Sequence, residues 1–370
     1  MKIGVPSEIK DNEFRVAITP DGVHELVQHG HEVMIQKGAG LGSSITDAEF
    51  EAEGAVIVDD VNKVWDDSEM ILKVKEPIEE EYARMHEGLL LFTYLHLAAD
   101  EALTKELLNR KVTAIAYETV ELPDHSLPLL APMSEIAGRL ATQVGAYYLM
   151  KPMGGPGKLI GGAGGVKNVK MLVLGGGTVG TYSARVGVGM GADVTVFDVN
   201  TARMRYLDEV SDGRIRTEYS SDLAIRKALK EADLVIGSVL VPGARTPHLV
   251  TNDMVATMKP NSVLVDVAID QGGCFEDSHP TTHSDPVFRV HDALFYCVAN
   301  MPGAVANTST YALTNATMRY CVELANKGWQ QALRDRKELQ PGLNTHDGKL
   351  YFQGVGDALN IPVEDVTTLL

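Results

Sequence analysis

Short apolar runs separated by amphipathic stretches repeat along most of this chain. Runs at 2–6, 32–36, 55–58, 70–74, 89–95 and 113–117 have the length and β-branched content of buried strands. The stretches between them have helical spacing. The clearest begins at T-P-D-G-V-H-E-L-V, with Thr19 placed as N-cap and Pro20 in the first helical position, and another begins at Asp100. Strands that alternate with helices of this length predict a parallel, doubly wound sheet. Residues 132–151 have few breakers and read as one long helix that could connect domains. The segment 153–165, M-G-G-P-G-K-L-I-G-G-A-G-G, is too rich in glycine for an element and reads as a mobile loop. It is not a phosphate loop of the G-K-S type, because Leu159 follows Lys158. From Val169 the alternation resumes, with strands expected at 169–174, 193–198, 214–219, 233–239, 262–268 and 294–299. A helix is expected at 307–327, and the last forty residues are less regular and are expected to return to the first domain. The pattern predicts an α/β fold of two doubly wound, parallel-sheet (Rossmann-like) domains. One is assembled from 1–128 and 306–370, the other from 129–305.

The most specific local signal opens the second domain. Residues 169–180 read V-K-M-L-V-L-G-G-G-T-V-G, an apolar strand followed by Gly175, Gly177 and Gly180 in G-x-G-x-x-G spacing where a helix should start. The first glycine permits a tight turn, the second lets backbone N–H groups approach a pyrophosphate, and the third allows close helix–strand packing. A second strand ends in Asp198, about 20 residues further on, where a carboxylate bonds ribose hydroxyls and repels a 2′-phosphate. The cofactor implied is NAD rather than NADP. The first domain lacks such a fingerprint, so the dinucleotide belongs to the second.

Composition narrows the function. At 370 residues the chain can form two full cores, and its 45% apolar content is that of a globular protein. A formal net charge of −17 argues against nucleic acid as a partner. Much of the acid reads as solvated surface, as in E-P-I-E-E-E at 76–81. Cys274, Cys297 and Cys321 show neither paired nor ligand-like spacing, which suits buried thiols in a reducing cytoplasm, and no histidine–carboxylate spacing suggests a metal. The opening M-K-I-G-V-P-S-E enters a strand pattern at once, without a signal-peptide region, and no apolar run reaches the ~18 residues that span a bilayer. The expectation is a cytoplasmic protein with small-molecule partners and no membrane.

Several polar residues fall where strands end, the edge at which open α/β sheets bind ligands. Arg15 precedes V-A-I-T-P; its planar fork suits a carboxylate, or it is a surface arginine paired with Glu8 or Glu13. In I-L-K-V-K-E-P, Lys75 ends the strand, and Lys73 is its rival two residues earlier. His96 follows L-L-L-F-T-Y-L and is either a satisfied core histidine or an acid/base group. Asp270 sits before Gly272 and Gly273, which let the chain turn close to a ligand, whereas Asp266 lies inside the strand and suits a structural hydrogen bond.

The segments I-G-V-P-S-E-I-K-D-N-E-F-R-V-A-I-T-P, L-K-V-K-E-P, T-Y-L-H-L-A-A, L-L-A-P-M-S-E-I-A-G-R, V-D-V-A-I-D-Q-G-G and V-A-N-M-P-G-A-V resemble alanine dehydrogenases of the bacterial type. The likeness runs through nearly the whole chain. The same superfamily includes the soluble nucleotide domain of proton-pumping transhydrogenase. The resemblance implies reversible oxidative deamination of L-alanine to pyruvate and ammonium with NAD. It further implies a substrate cleft between the two domains, helices near 132–150 and 307–327 bridging them, and assembly as a homo-oligomer, typically a hexamer. Residue by residue, it implies that Arg15 and Lys75 hold the substrate carboxylate and that His96 and Asp270 are the acid/base pair, without deciding which of the two activates water. For the cofactor it adds Ser134, Thr178, Val179, Arg203, Ser220, Val239, Leu240, the run Val267, Ala268, Ile269 and Asp270, and the run Val298, Ala299, Asn300 and Met301. Position 279 is His where an arginine is frequent in the family, so His279 is not assigned a cofactor contact, and Arg203 stands where lysine is common. A transhydrogenase-type NAD(H) module and a non-catalytic NAD-binding protein are the alternatives; the intact set of Arg15, Lys75, His96 and Asp270 argues against both.

Overall fold

A computed structural model describes residues 1–239 and 246–370. The chain forms two compact units, Met1–Met133 with Gly303–Leu370, and Ser134–Pro302. In the first unit six parallel strands follow one another, β1 (Lys2–Val5), β2 (Glu32–Gln36), β3 (Val56–Val58), β4 (Met70–Leu72), β5 (Leu90–Thr93) and β6 (Thr113–Ala116). The second unit supplies β7 (Lys170–Leu174), β8 (Asp193–Asp198), β9 (Ile215–Tyr219), β10 (Leu234–Gly237), β11 (Val263–Asp266), β12 (Val287–Val290) and β13 (Ala293–Tyr296). The chain then returns to the first sheet with β14 (Leu343–His346) and β15 (Lys349–Leu350).

Among the described residues the sheets run β15-β14-β6-β5-β4-β1-β2-β3 and β12-β13-β11-β10-β7-β8-β9. In both, the strand order reverses beside the first strand, between β1 and β4 and between β7 and β10. Ligands of open α/β sheets bind outside the carboxyl ends of strands at such a point.

The sheets are mixed rather than wholly parallel. β12 runs antiparallel to β13, and β14 antiparallel to both β6 and β15. These strands lie toward sheet edges and are short; β12 is only half-buried, with Arg289 exposed, so it lacks the continuous apolar run of a central parallel strand.

Alternation along β7 shows how the second core is divided. Met171 and Val173 face one cluster, with Ala184, Val194 and Ile236, while Leu172 and Leu174 face another, with Phe197, Val235 and Phe295. Each such side chain contributes about 1.5–3 kcal/mol on burial. Two helix starts read from sequence carry their caps: Thr19 accepts from the Gly22 N–H at 3.4 Å before Pro20–Gln28, and Asp100 from the Leu103 N–H at 2.9 Å before Glu101–Asn109. Helices Ala131–Tyr148 and Ala306–Lys327 occupy the two long helical spans. The glycine-rich loop after Met153 is irregular and is tied down by Lys158, whose Nζ lies 2.6 Å from Asp233.

Several expected strands end early. The regular strands β4 and β5 end at Leu72 and Thr93; beyond them the Lys73 N–H still bonds the Phe92 carbonyl and the Tyr94 N–H the Val74 carbonyl, each at 3.3 Å, and Val74, Tyr94 and Leu95 stay buried. The apolar run continues into buried loops, so periodicity alone places these strand ends too late.

Candidate active site

In the first unit the loops that follow β1, β4, β5 and β6 leave the same edge of the sheet, because these neighbouring strands are parallel. They carry Arg15, Lys75, His96 and Glu118 respectively. Arg15 and Lys75 thus follow the two strands that flank the reversal in strand order.

Arg15 is no surface arginine. It is 2% exposed and makes a bidentate pair with buried Glu13, with Nε 2.6 Å from one carboxylate oxygen and Nη2 on the other. Its Nη1 lies 3.1 Å from the sulfur of Met133, a soft, weak acceptor. Burial works against the charged guanidinium, but the Glu13 carboxylate outweighs it and holds Arg15 above its ordinary range.

Burial separates the two lysines. Lys73 is 1% exposed and sits 3.1 Å from Glu8 and 2.9 Å from Glu81, a closed internal cluster. Desolvation opposes its charge, but the two carboxylates hold it above the ordinary lysine range, while burial pushes Glu8 up. Lys75 is half-buried, and its amine has no hydrogen bond or ion pair to any described residue. This leaves Lys75 available to a ligand and Lys73 committed to the fold.

His96 lies three residues beyond β5 in a left-handed conformation, φ 52°, unusual for a residue with a side chain. The carboxylate of Glu118 fixes that turn, accepting from the backbone N–H of Leu95 at 3.1 Å and of His96 at 2.7 Å. The ring is 42% exposed, and its Nδ1 lies 3.1 Å from Glu76. The second oxygen of Glu76 is bound by Lys10. Burial alone would raise the Glu76 carboxyl; the His96 hydrogen bond and the charges of His96, Lys75 and Lys10 overcome it and hold Glu76 far below the usual carboxylate range. Desolvation would lower His96, but the Glu76 hydrogen bond and the Glu118 charge raise it. Neither glutamate was assigned a site role from sequence. The reading of 76–81 as solvated surface is corrected for two of its residues, since Glu76 and Glu81 are both buried. The adjacency of Glu76 to Lys75 was the available signal, but its long-range partners were not visible.

In the second unit the three fingerprint glycines behave differently from one another. Gly175 has φ +101°, a conformation that disfavours side chains. A Cβ on Gly180 would lie 1.8 Å from the Gly175 carbonyl oxygen, whereas a Cβ on Gly177 would meet nothing within 4 Å. Gly177 is exposed and caps the helix Thr178–Gly189, whose first residues are Thr178, exposed, and Val179, half-buried. This open, glycine-lined helix start suits a pyrophosphate. Asp198 closes the loop from the next strand: one oxygen accepts from the Gly176 N–H at 2.6 Å, the other from the Asn200 N–H at 2.7 Å. Arg203 donates from Nε to the Gly176 carbonyl and from Nη2 to Thr181 at 2.6 Å. Its cation therefore braces the glycine loop. Ser220 follows β9, its N–H bonded to the Asp198 carbonyl at 2.9 Å.

At the reversal in strand order, Val239 follows β10 and its side chain borders Gly175, while Ser238 donates to the carbonyl of Leu174 or Gly175, at 2.9 and 3.0 Å. Leu240 lies outside the described residues. Val267, Ala268, Ile269 and Asp270 follow β11, with Ala268 and Ile269 buried and Asp270 exposed. Asp266 is buried and accepts from the N–H groups of Ala268, Cys274 and Phe275 and from Ser278 at 2.6 Å. That structural network separates it from Asp270. Val298 and Met301 are buried, Ala299 and Asn300 half-buried, with Asn300 at φ 60°. Ser134 is half-buried on the helix Ala131–Tyr148, and His279 stacks on Phe288 at 3.8 Å between centroids. All three cysteines are buried, and burial pushes the thiols of Cys297 and Cys321 up to about 12. Among the described residues no helix is long and apolar enough to cross a membrane, and no cluster of three or more His, Cys, Asp or Glu could hold a metal.

Comparison with known proteins places this geometry. Residues 4–137 match the alanine dehydrogenase/PNT N-terminal domain and residues 141–353 the alanine dehydrogenase/PNT C-terminal domain. An alanine dehydrogenase of Mycolicibacterium smegmatis is 59% identical over 370 residues, covering 100% of both chains. A solved L-alanine dehydrogenase superposes with a TM-score of 0.95 at 49% identity, over 97% of this chain and 99% of that one. A transhydrogenase from Sinorhizobium meliloti shares the fold, with a TM-score of 0.81 at 23% identity over 95% of this chain and 99% of that one. With both domain models matched across most of its length, the chain belongs to the alanine dehydrogenase/PNT family.

Proposed function

We propose that this protein is an NAD-dependent L-alanine dehydrogenase, interconverting L-alanine with pyruvate and ammonium. The observation that carries the reading is Lys75, a half-buried cation with no hydrogen bond or ion pair among the described residues, on the loop after β4 beside the loop that presents Arg15. Two cations there suit a small carboxylate. Glu13 holds the Nε–Nη2 edge of Arg15 and fixes the direction of its guanidinium, to which the substrate carboxylate is assigned together with Lys75. His96 and Asp270 are assigned the proton transfers at the substrate nitrogen and at the water that adds to the iminium, steps that an acid/base group accelerates by roughly 10²–10⁴-fold.

The glycine turn fits a dinucleotide, with open space at Gly177 and a helix N-terminus behind it. Gly175, Gly177, Gly180, Thr178 and Val179 would hold the pyrophosphate, and Asp198 the adenosine ribose. Arg203, through its bonds to Gly176 and Thr181, would keep the loop in shape. Ser134, Ser220, Val239, the run 267–270 and the run 298–301 complete the assignment. Bound there, NAD supplies the hydride acceptor. The family resemblance also carries a homo-oligomer and a cytoplasmic setting, which sedimentation of the purified chain and cell fractionation would test.

The direct test is NADH absorbance with purified protein and NAD, comparing L-alanine with D-alanine, serine and lactate. The expected result is NADH formation with L-alanine, reversed by pyruvate plus ammonium. Tight NADH binding without turnover of any amino acid would overturn the reading in favour of a transhydrogenase-type or sensing module.

A further inference from the structure

The carboxylate of Glu76 has a use beyond fold stability. It lies on the loop after β4, with Lys10 from the loop after β1 on one oxygen and His96 Nδ1, 3.1 Å away, on the other. A carboxylate held ionised between cations can only accept hydrogen bonds, so the proton in the His96–Glu76 contact belongs to Nδ1. The backbone of His96 is pinned independently by Glu118. With its main chain fixed from one side and Nδ1 from the other, the ring has only Nε2 left for proton exchange.

We infer that Glu76 is a positioning residue for the dehydrogenase reaction, holding His96 in the tautomer that presents Nε2 to the substrate, with Lys10 anchoring the far oxygen. The inference rests on the proposed role of His96. The arrangement follows the general logic of a base oriented by a third group. The charged groups facing the ring are Glu76 and Lys75 from the β4 loop, Glu118 from the turn after β6, and Lys10 through Glu76. The Tyr94 ring stacks beside it at 6.0 Å. Glu76→Gln keeps the shape and an acceptor oxygen while removing the charge.

Two measurements are independent of turnover. The first is the rate of His96 ethoxyformylation by diethyl pyrocarbonate against pH, read on the His96 peptide by mass spectrometry. In the wild type its midpoint should lie above the ordinary histidine value of about 6.5. In Glu76→Gln it should fall by about one pH unit, as loss of a neighbouring opposite charge requires. An unchanged midpoint overturns the inference. The second needs no variant. In protein labelled with ¹⁵N-histidine, with His96 assigned by difference against His96→Gln, the neutral ring should carry its proton on Nδ1. A proton on Nε2 overturns the inference even if Glu76→Gln fails to fold. With L-alanine and NAD, Glu76→Gln should lower kcat about tenfold or more while KM for L-alanine, set by Arg15 and Lys75, stays within twofold of wild type. The reverse split, KM changed and kcat kept, would make Glu76 a substrate contact instead. If the wild type oxidises no L-alanine, the functional reading fails, while the midpoint and the tautomer still decide whether Glu76 holds the ring.

Discussion

Gly177 and Gly180 sit three residues apart in one turn, yet alanine should injure the protein at each for opposite reasons. At position 180 the new Cβ would lie 1.8 Å from the Gly175 carbonyl oxygen and 2.9 Å from both the Gly175 carbonyl carbon and Ser238 Oγ. An ordinary contact needs well over an ångström more. Gly175 cannot easily yield, because it already sits at φ +101° with its N–H bonded to the Phe197 carbonyl at 2.8 Å. Overpacking of this kind costs typically 1–3 kcal/mol, and a backbone clash belongs at the upper end. For a unit of this size, ~3 kcal/mol lowers Tm by roughly 6–12 °C. At position 177 the Cβ meets nothing within 4 Å, and φ is −64°, a value alanine adopts freely. The apo protein should lose no more than about 1 kcal/mol there, the cost of alanine at a helix N-cap. Its loss should appear in NADH binding, because the open space above Gly177 is where the pyrophosphate backbone is assigned. Thermal melts without ligand and NADH titration by calorimetry separate the two. Gly180→Ala with an unchanged melt would refute the packing argument. Gly177→Ala with wild-type NADH affinity would refute the assignment of the turn.

Four further expectations follow from the same geometry. His96→Ala or Asp270→Asn should lower turnover by roughly 10²–10⁴-fold while NADH still binds in a fluorescence titration; normal turnover in either would remove that residue's role. Lys73→Met, which strands Glu8 and Glu81, should cost about 3–5 kcal/mol in urea unfolding. Lys75→Ala should instead stay within about 0.5 kcal/mol of wild type and raise KM for pyruvate; the opposite pattern would exchange their roles. Asp198→Asn should narrow the NAD/NADP preference by about tenfold, ~1.4 kcal/mol, with competitive titrations unchanged from wild type if discrimination lies elsewhere. The last concerns pH. His96 is raised, so its share of the Glu76 pair is full below about 6.5 and is lost as pH rises through the folded value. Glu76 is depressed, so its share is full above about 4.5 and is lost on acidification. The wild type's melting advantage over Glu76→Gln should therefore be larger at pH 6 than at pH 9, and an equal advantage at both would argue that the pair is not ionic.

Much of the fold was readable because parallel strands buried on both faces are continuous apolar runs, and the twelve expected strands all have counterparts. What escaped was strand pairing at the margins. β12 offers one face to the core, and β14 reads as L-N-T-H after a proline–glycine pair; its stability comes from β6, more than two hundred residues earlier, to which no local period points. The glycine turn was legible in more detail, since each of its glycines answers a local steric demand. Asp198 was assigned to a ligand, and the structure adds that both its oxygens already hold backbone N–H groups, so the same side chain shapes the loop it serves.

The substrate side was legible in residue type but not in electrostatics, and the difference bears on how an anion is held. Arg15 and Lys73 are both buried cations, and three buried carboxylates, Glu13, Glu8 and Glu81, surround them. That cluster has more acid than base, so Arg15 alone presents a substrate carboxylate with a cation whose charge is already answered. On the proposed reading it is Lys75, which makes no ion pair among the described residues, that makes the locality receptive to an anion. Sequence offered Lys73 and Lys75 as rivals two positions apart on one strand face; the family resemblance favoured Lys75, but the residues themselves gave no physical reason for the choice. The separation comes from Glu8, some sixty-five residues away in the chain, which accepts from Lys73 at 3.1 Å and from the Val74 N–H at 2.6 Å. By closing on both groups it commits Lys73 to the fold, which is why the ligand role is proposed for Lys75 instead. A charge added near Lys75 should therefore disturb binding more than the same charge near Lys73, where it would disturb folding instead.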